Sequence, residues 1–141
     1  MIQSDEPILA FSARWSRRHR TFAPGANDCA LYCATWVDEN NGTQYVQRIQ
    51  SDWSGPRAVL QTMAEPGAFR RAIISLVGEP TAEVGEERAG DVVLILNNEN
   101  ADTLAIAGAS DFAYGIGPHG GYAGINRRDR VLAVWRLECL Q

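Results

Sequence analysis

The chain has 141 residues, 45% hydrophobic and 21% charged, with a formal net charge of −4. That length fits one domain over residues 1–141 with a single core, and that balance is the balance of an ordinary globular chain. The negative charge argues against general nucleic-acid binding, and the longest apolar runs, such as Val92–Leu96, fall far short of the roughly 20 residues a membrane span needs.

In chain order, the start Met1-Ile2-Gln3-Ser4-Asp5-Glu6-Pro7 has neither the basic nor the apolar region of a secretory signal. Ile8, Phe11 and Trp15, then Phe22, recur at helical spacing and predict an amphipathic helix over about 7–19. The run Arg14-Trp15-Ser16-Arg17-Arg18-His19-Arg20 is a basic patch with an aromatic inside it, and reads as the solvated face of that helix. Pro24-Gly25 turns the chain. Asn27 or Asp28 then caps a second, amphipathic helix with apolar positions Ala30, Cys33, Trp36 and Val37, stopped by Asn40-Asn41-Gly42.

Residues 43–55 carry no firm period. Ser54-Gly55-Pro56 is a helix start, and two short helices are expected over 57–64 and 67–77, separated at Pro66. Val59, Leu60 and Met63 mark the apolar face of the first; Phe69, Ile73, Leu76 and Val77 mark that of the second. Gly78 and Pro80 close this region, and Thr81–Arg88 is an acidic loop.

Beyond Arg88 the period changes to that of strands: Asp91–Leu96, Thr103–Ala107, Phe112–Ile116, Tyr122–Ile125 and Val131–Leu137. Their short separators, rich in Gly, Asn and Asp, favour an antiparallel meander of about five strands. Helices followed by strands make an α+β domain.

Three cysteines is an odd number, and Cys29 and Cys33 lie one helical turn apart. A disulfide framework is therefore not expected, and folding is placed in a reducing compartment. Cys29 falls in the first turn of the second helix, where unpaired N–H groups and the positive end of the dipole favour a thiolate. Cys33 and Cys139 read as structural. His119, in Gly117-Pro118-His119-Gly120-Gly121, is either a base delivered by a glycine loop or an exposed turn histidine, with the turn reading preferred; His19 reads as structural. A zinc site from Cys29, Cys33, Cys139 and His119 matches no usual spacing, so no metal and no cofactor is expected.

Asn27-Asp28-Cys29 opening a helix, a long helical middle, and then Ala89-Gly90-Asp91-Val92-Val93-Leu94 together resemble the NlpC/P60 superfamily of papain-like cysteine hydrolases. The entrance Phe22-x-x-Gly25-x-x-Asp28-Cys29 and a last strand bearing Ala133, Trp135 and Arg136 are similar to a small phage- and prophage-tail-associated, DUF6950-like branch. The resemblance implies an NlpC/P60 papain-like domain with Cys29 at the nucleophile position. It puts Thr103 where the family has its histidine, and threonine cannot serve as a general base near neutral pH. The third polar residue would fall around Tyr114-Gly115-Ile116, where no His, Asn, Asp or Glu stands.

The implied role is that of a catalytically degenerate hydrolase fold serving as a structural, docking component of a phage or prophage tail near the tail tip. Such a protein is made in the host cytoplasm and ends in the virion, with other tail proteins as partners. The acidic loop Glu83–Glu87 and the basic patch Arg14–Arg20 are the candidate docking surfaces. The alternative is an active cysteine peptidase or amidase on peptidoglycan, with Cys29 as nucleophile and His119 as base.

Overall fold

The computed structural model describes residues 2–18, 29–52, 67–97, 101–116 and 121–141. Among these residues the chain is an α+β domain of four helices followed by a five-stranded antiparallel sheet. Helix α1 (Glu6–Arg18) buries Ile8, Phe11, Ser12 and Trp15 as one stripe and leaves Arg14, Arg17 and Arg18 exposed. Helix α2 (Cys29–Asn41) differs from the amphipathic expectation. Every residue from Cys29 to Ala34 is buried, as are Trp36 and Val37. A helix apolar on all sides belongs inside its layer, and α2 packs against both a neighbouring helix and the sheet.

The stretch without a readable period contains α3 (Tyr45–Asp52). Its cap comes from the preceding helix. Asp38 on α2 accepts the Thr43 hydroxyl at 2.6 Å and the backbone N–H groups of Tyr45 at 2.8 Å and Val46 at 3.0 Å. One carboxylate thereby satisfies two of the N–H groups a helix start leaves unpaired and meets the positive end of its dipole. Helix α4 (Ala68–Val77) buries Phe69 and Ile73 and ends at Gly78, φ 89°, whose N–H donates to Ile74 O at 2.7 Å. The expected 57–64 helix, the Pro24-Gly25 turn and the Asn27/Asp28 cap lie outside the described residues.

Strands β1 (Val92–Leu96), β2 (Asp102–Ala107), β3 (Phe112–Ile116) and β4 (Tyr122–Asn126) form the expected meander, but β5 (Val131–Trp135) does not extend it. The order is β4-β3-β2-β1-β5, so the last strand returns to the free side of the first. Burial explains the departure. Val92, Val93, Leu94 and Ile95 are buried on both faces of β1, which needs a neighbour on each side, whereas β4 exposes all but Ile125 and suits an edge. The outer edge of β5 is covered in turn: the N–H groups of Thr81 and Ala82 both donate to Val134 O.

The alternation of side chains sorts the sheet into two faces. Val92, Leu94, Leu104, Ile106, Ala133 and Trp135 join the helices in the main core. Val93, Ile95, Ala105, Ala107, Ala113, Ile125 and Val134 form a second core on the other face, joined by Ala82 and Val131.

Candidate functional site

Two sequence motifs meet around the Gly90-Asp91 turn, and their chemistry there is structural. Asp91 is 2% exposed. Its Oδ2 accepts the Arg136 guanidinium at 2.9 Å and the Arg88 N–H at 2.9 Å, while Oδ1 accepts the Leu137 N–H at 2.9 Å. Gly90, at φ 96°, turns its carbonyl to the indole N–H of Trp36 on α2 at 2.9 Å. Trp135 donates to Gly78 O at 2.9 Å. The Gly-Asp pair that leads into β1 and the Trp-Arg pair that ends β5 are thus two halves of one clasp between the central strand and its late partner.

Cys29 is the first residue of α2 and is 5% exposed. It belongs to the main core with Phe11, Trp15, Tyr32 and Trp36, whose rings pack together: Phe11 lies 5.2 Å from Tyr32 and 5.4 Å from Trp36 between centroids. Cys33 is buried one turn on, Cys139 is exposed in a short 3₁₀ turn (Leu137–Cys139), and no cysteine is in a disulfide.

Thr103 is buried in β2, but its side chain lies on the sheet face opposite Cys29. Its register partner is Ile95, and both alternate with residues of the helix-facing core; Ile95 and Ala105 belong to the second core. The residue that opens β2 on the α2 side is Asp102, half-buried opposite Leu96. His119 lies outside the described residues. The structure therefore brings the expected nucleophile position to the helix–sheet junction and does not bring Thr103 to it. Among the described residues no group of three or more His, Cys, Asp or Glu side chains could hold a metal ion. No helix among them is long and apolar enough to cross a membrane.

The sequence reading missed a polar cluster on the helix-facing side. The wholly buried hydroxyls of Ser12 and Tyr32 lie 2.5 Å apart, and Ser12 donates to Ile8 O at 2.8 Å. With the serine proton committed to Ile8, the tyrosine is the donor. Tyr114, on β3 at the expected third polar position, donates to Asp5 Oδ2 at 2.6 Å, while Asp5 Oδ1 accepts the Ala109 N–H. Nothing in the local pattern of Asp5 foretells this, because its partners lie more than 100 residues on. Burial pushes both phenols up, most strongly for Tyr32.

For Tyr114, burial, its hydrogen bond to Asp5 and the charge of that carboxylate raise the pKa from the ordinary 10.0 to about 12. The folded state therefore holds this proton more tightly than the unfolded chain does. The stability it contributes is complete below pH 10 and is lost as pH rises from 10 through about 12. Tyr114→Phe makes the alkaline loss of stability shallower over that window, measured as the urea midpoint against pH. An unchanged slope assigns the alkaline loss to other groups.

No curated protein and no solved structure matches this chain. One family model does, across residues 9–137, from the first turn of α1 to the clasp that follows β5. The chain belongs to the family described as Domain of unknown function (DUF6950).

Proposed function

We propose that this protein is a structural component of a phage or prophage tail, in the tail-tip region, whose papain-like NlpC/P60-type fold serves as a docking scaffold. The observation that carries the non-catalytic part is the placement of Cys29: nearly fully buried in the helix-facing core, with Thr103 turned to the far side of the sheet. A cysteine nucleophile needs access to its substrate. The tail assignment rests on the resemblance of the Phe22–Cys29 entrance and of Ala133, Trp135 and Arg136 to the tail-associated branch. In this role the Gly90-Asp91 and Trp135-Arg136 motifs matter because they hold the scaffold together.

One observation favours a peptidase or amidase instead: Cys29 stands at a helix start, the position that lowers a thiol pKa. Alkylation separates the two. Exposed Cys139 supplies an internal reference. The expected result is that Cys29 reacts at least roughly tenfold more slowly than Cys139, because reaction requires local opening, and that His119→Ala leaves its rate unchanged. The scaffold is also expected in tail particles purified from the host that carries the sequence, detected by mass spectrometry, and releases nothing from peptidoglycan. A Cys29 thiolate titrating well below about 8.5 and shifted by His119→Ala, with peptidoglycan release abolished by Cys29→Ser, overturns the scaffold reading. Absence from the particles overturns the tail assignment.

A further inference from the structure

Two features on opposite sides of the molecule are complementary in charge, each around an apolar centre. The first is the turn that joins α4 to β1. Glu86 N–H donates to Glu83 O at 3.0 Å, with Gly85 at φ 101°, and the Gly85 N–H donates to Glu87 Oε1 at 2.8 Å. This closed turn lifts Val84 into solvent between Glu83 and Glu86. At 55% exposure Val84 is the most exposed large apolar side chain among the described residues. Glu87 is held from below by Arg127 at 3.9 Å, so the tip is presented by a fixed loop.

The second is a groove of about 250 Å³ on the helical layer, over α1 and α2 and bounded by α3. Phe11, Trp15 and Leu31 contribute apolar lining, and Arg14 and Arg18 stand on its wall. Glu39 also lines it, but Glu39 is engaged with Arg14 at 3.2 Å. Arg18 and the neighbouring Arg17 make no ion pair with the described residues, so the rim keeps an excess of positive charge. An apolar tip flanked by carboxylates is complementary in charge to a groove that has Phe11, Trp15, Leu31 and Val46 in its lining, with Thr35 and Gln50 beside them, and guanidiniums on its wall.

A chain cannot fill its own groove in this way. Val84 lines a hollow with Arg127 and Val131 on the side of the second core, beyond the sheet from the helices. We propose that the acidic turn Glu83–Glu87 of one copy seats Val84 in the α1–α2–α3 groove of a second copy, making a head-to-tail contact. Such a contact is heterologous: each copy uses one surface to give and another to receive, so it builds a ring or an open row. One contact is small and charge-steered. It is weak between two copies and gains strength when a ring closes or a scaffold concentrates the copies. This goes beyond the docking role, since it names the two surfaces and makes the partner the chain itself.

The test is sedimentation velocity of the full chain over a concentration series up to about 1 mM, enough to populate a millimolar contact. Wild type is expected to associate with rising concentration, and less so at high salt, where the screening length falls to about 3 Å. Val84→Asp and Arg18→Glu, both at exposed positions, are each expected to weaken association by about tenfold or more, with circular dichroism and the thermal midpoint unchanged. The decisive sample mixes the two variants. Val84→Asp keeps a good groove and Arg18→Glu keeps a good tip, so a head-to-tail contact yields a 1:1 pair that neither variant forms with itself. A wild type that stays monomeric overturns the proposal. So does association that survives both substitutions, or a mixture that does not pair. The readout uses purified chain alone and is independent of whether tail particles contain it.

Discussion

Asp91→Ala is expected to lower the unfolding free energy by about 3–5 kcal/mol, the scale for removing one partner of a buried ion pair. The substitution strips the acceptor from the Arg88 N–H, the Leu137 N–H and the Arg136 guanidinium together. Arg136, with a side chain 12% exposed, stays charged because guanidinium does not give up its proton in proteins. Its remaining acceptor is Glu86 O at 3.0 Å. Small domains are stable by about 5–15 kcal/mol in total, so the variant sits near the threshold of folding at all. Urea denaturation measures the loss. A double variant, Asp91→Ala with Arg136→Met, is expected to cost less than the sum of the two single changes, since it leaves no orphaned charge. The surface pair Arg14–Glu39, 48% exposed on both sides, provides the contrast: Arg14→Ala costs within about 0.5 kcal/mol. A loss under about 1 kcal/mol for Asp91→Ala would mean that β5 is held by its apolar contacts and not by the clasp.

Trp36→Ala is the second large effect, about 3–5 kcal/mol for deleting a buried indole from the core. Trp36 is 4% exposed, packs against Phe11, and donates the hydrogen bond that ties α2 to the Gly90 carbonyl. Trp36→Phe divides the loss into parts. It keeps most of the apolar contact and gives up the bond to Gly90 O, for a cost of about 1 kcal/mol. Both are read from urea midpoints. Equal losses for the two variants would assign the effect to the hydrogen bond rather than to packing.

The division into helices then strands was legible because the hydrophobic period changes at Arg88, and a change of period survives any tertiary context. The stripe Ile8, Phe11 and Trp15 was legible for the same reason. Helix α3 was not, because Asp38, seven residues before Tyr45, supplies a cap that a local reading assigns to the helix it sits on. The return of β5 to β1 brings Arg136 to Asp91, and no pattern within either strand encodes that meeting. At the candidate site, Cys29 at a helix start could be read from its neighbours. The direction of Thr103 could not. A shift of one residue in register carries a side chain to the other face of a sheet, and the pairing of Thr103 with Ile95 turns it away from Cys29.

The return of β5 to β1 also governs how the protein is born. A ribosome releases β1 about forty residues before the strand it must pair with, an interval on the order of seconds at roughly 5–20 residues per second. During that interval Val92–Ile95, apolar on both faces, has β2 on one side and nothing on the other. The nascent chain thus shows a sticky, one-sided ribbon until its last strand is translated, which makes it a natural client for a chaperone that binds extended apolar segments.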